Sequence, residues 1–441
     1  MAVTWRFVVL VAAGTIPLIW WPEAAVLRIY WVGALALLFV DVALAPSPGG
    51  LAARREAVPP TRVGESTRSR VVLTNPTRRR VRALVRDAWQ PSAGSVMDRH
   101  RVVLHPGRSL PVDVELIPSR RGDLSTDRFT LRVFGPLGLG ARQRSFVVPG
   151  VLRALPAFPS RRHLPGLLAQ WRQLDGRSAV RTRGQGTEFD SLRDYVEGDD
   201  VRSIDWRATA RRQQVVVRTW QPERDRHVVI VVDTSRTSAG RIGDMPRLDA
   251  AMDAALLLSA LASRAGDRVE VMLGDRDIHT HVRADRRGDL LNRLVNAMAP
   301  VDPALVEADW PRIVGAVSGQ ARRRALVVLV TPLEPAAVEE SLLPVLPALT
   351  ARHRVVIASV QDPSVEQARL LLPASAQQEL TAVQRTDAVY GAAAAEQTSR
   401  QRDRTAAVLQ KVDVTVLDRG PEDLPLTLCR HYLMLKSRGL L

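Results

Sequence analysis

The chain has 441 residues, 46% of them hydrophobic and 24% charged, with a formal net charge of +16 and one cysteine. That composition is globular, with room for two or three domains, and it excludes a disulfide-stapled secreted module because Cys429 has no partner within the chain. The basic charge is nearly all arginine: Lys411 is followed by Val412 and Lys436 is preceded by Leu435, so no Gly-Lys-Ser/Thr phosphate cradle exists and a Walker-type nucleotide hydrolase is excluded.

Residues 1–45 read as two membrane helices. Phe7 to Trp21 carries no charge, and Ala24 to Ala45 is interrupted only by Arg28 and Asp41 near its ends, where both could reach toward headgroups. Trp5, Trp20, Trp21 and Trp31 sit where interfacial aromatics are expected. The turn Trp21-Pro22-Glu23 has no basic residue, whereas Arg6 precedes the first segment and Arg54, Arg55 and Arg62 follow the second. The positive-inside rule then places both ends in the cytoplasm, as a multi-pass helical hairpin in the plasma membrane carrying a cytosolic body. The competing reading is a signal sequence cleaved after Ala43-Leu44-Ala45.

A Pro-Ser-Pro-Gly-Gly linker (46–54) leads into short alternating runs such as Arg70 to Leu73, Val81 to Val85, Val112 to Leu116 and Phe129 to Val133. Turn signals at Val63-Gly64-Glu65, Asn75-Pro76, His105-Pro106-Gly107 and Phe134-Gly135-Pro136-Leu137-Gly138 separate them. Residues 55–150 therefore read as a small β-sandwich domain. It serves either as a spacer beside the membrane or as a peptide-binding module that adds a strand at an open edge.

Residues 151–226 read as a connecting segment that contains the densest polar stretch of the chain, Arg183 to Arg212. It interleaves carboxylates with arginines at a density suited to bidentate pairs, and Tyr195 and Trp206 offer anchors between them. Residues 227–441 then alternate strands and helices: His227 to Val232, Arg268 to Leu273, Ala325 to Val330, Val355 to Val360 and Val412 to Leu417 as strands; Arg247 to Ala265, Asp289 to Met298, Ala336 to Leu349 and Gln377 to Gln410 as helices. That rhythm is α/β with a doubly wound parallel sheet, whose ligands bind at the carboxyl ends of strands. There, Asp233, Ser235 and Thr237 offer three oxygens to a hard cation such as Mg²⁺, in the D-x-S-x-S arrangement of von Willebrand factor A domains with Thr237 in the last place. The same residues also suit a structural cap after a strand.

RGQGTEFDSLRDYVEGDDVRSIDWRATARR, followed closely by HVVIVVDTSRTS, resembles the family called domain of unknown function 58, bacterial proteins related to von Willebrand factor A domains. Gly198 to Trp206 is the most specific element. Ser119 to Gly122, Phe134 to Leu139 and the tail His431 to Gly439 are also similar to it. The resemblance implies no catalytic activity. It implies an adaptor working with a MoxR-type AAA+ ATPase in chaperone-like assembly or remodelling, with membrane or periplasm-destined proteins as clients. A complete cation site of this kind also takes a threonine from a second loop and an aspartate from a later strand. Here His281 to Leu290 has Asp285 and Asp289 but no threonine, and Ala325 to Val330 ends in Thr331-Pro332 with no carboxylate before Glu334.

The expected function is thus a non-enzymatic, membrane-anchored adaptor. Its docking residues are Glu188, Arg193, Tyr195, Gly198, Asp199, Asp200, Arg202, Asp205, Trp206 and Arg211. One alternative is a cation-dependent binding module acting through Asp233, Ser235 and Thr237; another is a hydrolase using the Glu188 to Asp205 carboxylates, which requires perturbed pKa values there. His279 and His281 alternate on a strand and face one way, without a third metal ligand in view. Ser235 has no nearby histidine and no Gly-x-Ser-x-Gly elbow. Arginines diluted among acids through every domain point to the anionic leaflet rather than to specific nucleic acid.

Overall fold

The computed structural model describes residues 2–21, 23–181, 188–221, 226–283, 289–321, 323–370 and 382–441. The chain divides into two units, Met1–Ala157 and Phe158–Leu441.

In the first unit, helix α1 (Trp5–Ala13) has 9 residues and rises about 14 Å, short of the roughly 30 Å of hydrocarbon that a span must cross. Gly14 ends it, and a 3-10 turn, Ile16–Ile19, takes Pro17 near its start. Helix α2 (Ala24–Leu44) has 21 residues and is long and apolar enough to cross a membrane. Among the described residues, one helix of membrane length therefore stands where two were expected, because Gly14 and Pro17 interrupt the first apolar run. The short helix packs on the long one: the Tyr30 hydroxyl donates to the Leu10 carbonyl at 2.8 Å, and the Tyr30 ring fills the space that a side chain at Gly14 would take.

Asp41 does not reach for headgroups. It is fully buried, and its Oδ1 accepts from the Leu137 amide at 2.7 Å while Oδ2 accepts from Leu139 and Gly140 at 2.8 and 2.9 Å. The loop Phe134-Gly135-Pro136-Leu137-Gly138-Leu139 wraps round this carboxylate, and a Cβ at Gly135 would strike it. The N-terminal residues hold the same loop: Thr4 Oγ1 donates to the carbonyls of Gly138 and Leu139, and Ala2–Val3 pairs with Gly140 and Ala141.

The body of this unit is two sheets. β1 (Ala52–Arg55), β2 (Thr67–Thr74) and β5 (Ser109–Leu116) form a three-stranded sheet in the order β1-β2-β5. β3 (Val81–Ala88), β4 (Arg99–Leu104), β6 (Gly122–Phe134) and β7 (Gly140–Leu155) form the other in the order β7-β6-β3-β4, which Ala2–Val3 and Thr61–Arg62 join along β7. Alternate residues of both sheets, including Val71, Leu73, Val112, Val85, Phe129 and Leu131, meet in one apolar core. Between them Arg55 and Asp87 make a buried pair at 2.7 Å, with Trp89 Nε1 donating to the same carboxylate.

The second unit opens at Phe158, and α3 (Leu164–Arg181) belongs to it rather than to a connector, with Leu164 and Leu167 buried. A two-stranded pair, β8 (Glu188–Asp194) and β9 (Val216–Gln221), frames α4 (Trp206–Arg212). A six-stranded sheet follows. β10 (His227–Asp233), β11 (Arg268–Gly274), β13 (Ala325–Val330), β14 (Arg354–Val360) and β15 (Val414–Arg419) are parallel, and β12 (Ile278–Arg283) runs antiparallel at one edge, in the order β12-β11-β10-β13-β14-β15. The continuous valine and leucine runs of β10, β13 and β14 follow from burial on both faces. One face packs on α7 (Trp310–Gln320) and on Leu346 and Leu349. α5 (Arg247–Arg264), nearly all buried, packs against β10, β11 and α11 (Leu424–Ser437). α6 (Leu290–Met298) lies between β12 and α7 in the chain.

Two expected helices differ. The stretch from Ala336 to Leu349 is broken, with a π turn over Val338–Leu342 and a short helix α8 (Leu346–Thr350), because Pro344 and Pro347 interrupt continuous hydrogen bonding. The stretch from Gln377 to Gln410 is described from Ala382, as α10 (Ala382–Lys411) after α9 (Pro363–Leu370); its expected first residues lie outside the described ones.

Candidate functional site

Two places collect the expected residues. The first is the polar segment between β8 and β9. Three of its carboxylates accept from the backbone: Asp199 Oδ2 from the Val196 amide at 2.9 Å, Asp200 Oδ1 from Arg202 N at 3.0 Å, and Asp205 Oδ1 from Arg207 N and Ala208 N at 3.1 and 3.0 Å. Each aspartate thereby closes a turn or caps α4. Gly198 has a φ of +106°, which a side chain resists, and this is why the turn Val196-Glu197-Gly198-Asp199 carries glycine there. The arginines contribute single contacts rather than the expected bidentate forks: Arg193 to Asp199, and Arg218 Nε to Asp205 Oδ2 at 2.8 Å. Both carboxyls are held below the usual range, first by the amides of Val196 and Ala208 and then by these guanidinium groups. The shift is downward, as for carboxylates that close turns and cap a helix.

This framework leaves apolar groups outside. Trp206 is 68% exposed, Val201 65%, Val196 60% and Tyr195 36%, while Val216 and Val217 behind them are buried. Arg202, Arg207 and Arg211 are exposed beside them. The order of the segment thus comes from its aspartates, and its outward face from tryptophan, valine and arginine. The Glu188 backbone pairs with Gln221. Arg183 lies outside the described residues.

The second place is the carboxyl end of β10. Asp233 is 1% exposed, Ser235 1% and Thr237 8%. Asp233 Oδ1 accepts from the Ser235 amide at 2.8 Å; Oδ2 accepts from Thr237 Oγ1 at 3.0 Å and from Thr331 Oγ1 at 2.7 Å. Ser235 Oγ lies 3.1 Å from Thr237 Oγ1. The three expected residues therefore converge, and Thr331 at the end of β13 joins them, a residue that sequence reading noted only for the carboxylate it lacks. β10 and β13 pair in parallel, Val232 opposite Val330, so their next residues share the sheet edge. Sequence spacing carries no trace of that pairing.

The cleft above this cluster is lined also by Glu307, Trp310 and Ser341. Glu307 is ion-paired to Arg236. Burial pushes the Asp233 carboxyl up, against the hydrogen bonds of Thr331, Ser235 and Thr237 that favour its charge. One carboxylate and three hydroxyls fit a small hard cation that keeps part of its water, or a self-satisfied cap. Of the other acids considered, Asp289 is exposed at the start of α6, Glu334 faces Arg247 at 3.6 Å, and Asp285 lies outside the described residues. Among the described residues no group of three or more His, Cys, Asp or Glu is placed to hold a metal.

His279 and His281 do not act together. His279 Nε2 lies 2.8 Å from Asp275, which also accepts from Thr234, and His281 Nε2 lies 3.0 Å from Glu270. Burial works to raise both carboxyls, but these partners outweigh it and hold them low.

Residues 191–408 match the model of a family described as protein of unknown function DUF58. Uncharacterized proteins of Mycobacterium tuberculosis and Mycobacterium bovis are each 30% identical over 183 residues, covering 41% of this chain and 56% of theirs. The chain thus spans about half the length of the curated relatives it matches. Among solved structures, the SpRpn10 VWA domain has a TM-score of 0.27 at 13% identity, covering 47% of this chain and 94% of that one. The PapD-like domain of human CEP192 has a TM-score of 0.19 at 17% identity, covering 25% and 90%.

Proposed function

We propose that this chain, whose residues 191–408 belong to the DUF58 family, is a membrane-anchored adaptor that docks a MoxR-type AAA+ ATPase through the face around Trp206. The chain is a multidomain scaffold with a doubly wound, von Willebrand factor A-like second unit, and it assembles or remodels membrane or periplasm-destined clients without chemistry of its own. The observation that carries this reading is the combination at Trp206: a large aromatic 68% exposed on a backbone locked by Asp199, Asp200 and Asp205. Tryptophan and arginine on a rigid frame are the composition of interface hot spots, since little entropy is lost when they are covered. A chain with no Walker motif that works in ATP-driven remodelling needs a partner to supply the hydrolysis.

Co-purification from native membranes tests it. An AAA+ ATPase is expected with the intact chain and not with Trp206→Ala; recovery of no ATPase with either overturns the adaptor assignment. A second reading, cation-dependent protein binding, is favoured by the convergence of Asp233, Ser235, Thr237 and Thr331 at one strand end. It predicts that chelation or Asp233→Ala removes the partner, whereas the first reading predicts that neither does.

A further inference from the structure

The end of the first unit's sandwich that takes in α2 is strongly basic and carries no free acid. The register brings its pieces together: Ala52, just after α2, pairs with Thr74; Thr74 pairs with Ser109; Val81 pairs with Leu104; and Ala83 pairs with Val133. The turns 75–80 and 105–108 and the loop 135–139 therefore lie at one end, and the first two are tied by backbone hydrogen bonds, the Asn75 amide donating to the Arg108 carbonyl and the Gly107 amide to the Asn75 carbonyl. These pieces carry Arg78, Arg79, Arg80 and Arg108, all exposed. Arg142 reaches the Ala43 carbonyl at 3.3 Å and Arg6 the Leu137 carbonyl at 3.4 Å.

Among the described residues none of these six arginines forms an ion pair. The carboxylate at this end, Asp41, has both oxygens occupied by backbone amides. Three acids elsewhere on the sandwich have arginine partners of their own: Asp113 pairs with Arg70, Asp98 with Arg86 and Asp123 with Arg153. Each guanidinium keeps unused N–H donors in the planar fork that matches a phosphate. The adjoining surface of α2 is apolar and outward, with Ile29, Val32, Leu35 and Phe39 each more than half exposed.

We propose that this basic end is a docking surface for the phosphate groups of anionic phospholipids, seated on the leaflet that α2 enters. The proposal rests on the reading of α2 as a membrane anchor and adds to it a specific lipid chemistry and a position. Acyl chains that cover α2 place their own headgroups at the level of its last turn, where Arg6, Arg142 and the Arg78 to Arg80 turn stand; an anionic headgroup is the complement to that charge. The Asp41 clasp holds loop and helix as one piece, so the arginines keep their height relative to the hydrocarbon.

The test is native mass spectrometry of the full chain released from nanodiscs that contain equal phosphatidylglycerol and phosphatidylcholine. The intact chain is expected to retain phosphatidylglycerol several-fold over phosphatidylcholine, and excess inorganic phosphate is expected not to displace it. Arg78→Gln/Arg79→Gln/Arg80→Gln should bring the ratio close to one, while Arg99→Gln/Arg101→Gln/Arg128→Gln, an equal loss of charge elsewhere on the sandwich, should leave it unchanged. Equal retention of both lipids by the intact chain, or an equal fall in both variants, overturns the lipid surface. Alkaline carbonate separates this from the anchoring itself: a chain that washes off native membranes overturns both, and one that stays without lipid preference overturns only the present proposal.

Discussion

Three buried charged residues show how far single positions govern this fold, and each gives a measurable expectation. Asp41 satisfies three amides, so Asp41→Ala leaves buried N–H groups without acceptors at about 1–3 kcal/mol each. Hydrogen exchange at Leu137, Leu139 and Gly140 should accelerate while the sandwich core stays protected. Asp233 is raised by burial, so its folded form favours the proton: stability of the second unit should rise as pH falls through that raised value and level off below the ordinary carboxylate range, and Asp233→Asn should flatten this dependence and increase Tm at neutral pH. Under the cation reading, Mg²⁺ raises the Tm of the unmodified chain and has no effect on Asp233→Asn, which calorimetry separates. Lys436 donates to Asp267 and to the Ala265 carbonyl, and stands 4.3 Å over the Trp171 ring. Removing it as Lys436→Met leaves the Asp267 carboxyl, which burial already raises, with the Tyr432 hydroxyl but without its buried cation, and should cost about 3–5 kcal/mol at neutral pH, less in acid where that carboxyl takes up a proton.

At the scale of elements, α4 and its flanking turns separate stability from recognition. Trp206→Ala removes an exposed ring and should shift Tm negligibly, whereas Gly198→Ala forces a side chain into φ +106° and should destabilise the segment by about 1 kcal/mol. Thermal denaturation of the two variants reads this directly. The strands of the large sheet were legible because burial on both faces imposes unbroken apolar runs, as in His227 to Val232 and Ala325 to Val330. Helix α3, with Leu164 and Leu167 inside, and the tail helix α11, with Tyr432 and Cys429 inside, were not, because each owes its burial to α5, a distant segment of the chain. The aspartates at 199, 200 and 205 are a local matter instead: sequence shows charges in alternation, and the structure adds that each carboxylate also accepts from amides two or three residues away.

For the whole molecule, α2 is, among the described residues, the helix long and apolar enough to cross a membrane, and the proposed anchoring rests on it. Leu35 and Leu37 are exposed near its middle, so Leu35→Arg/Leu37→Arg should leave the sandwich intact yet oppose insertion by about 2.5–3.5 kcal/mol per residue, shifting the chain to the soluble fraction on cell fractionation. The sequence by itself determined what depends on neighbours along the chain: the apolar length of α2, alternation in the sandwich strands, the α/β rhythm after His227, and the lack of a Walker motif. Tertiary structure alone decided what depends on residues brought together from afar. Asp41 became a clasp for a loop some ninety residues on, Thr331 joined Asp233 through strand pairing, and arginines from the termini of separate strands gathered at one end of the sandwich. Hydrophobic periodicity is a local signal, whereas a hydrogen-bond partner is chosen by the register of sheets and the path of loops, and that register is a property of the folded chain.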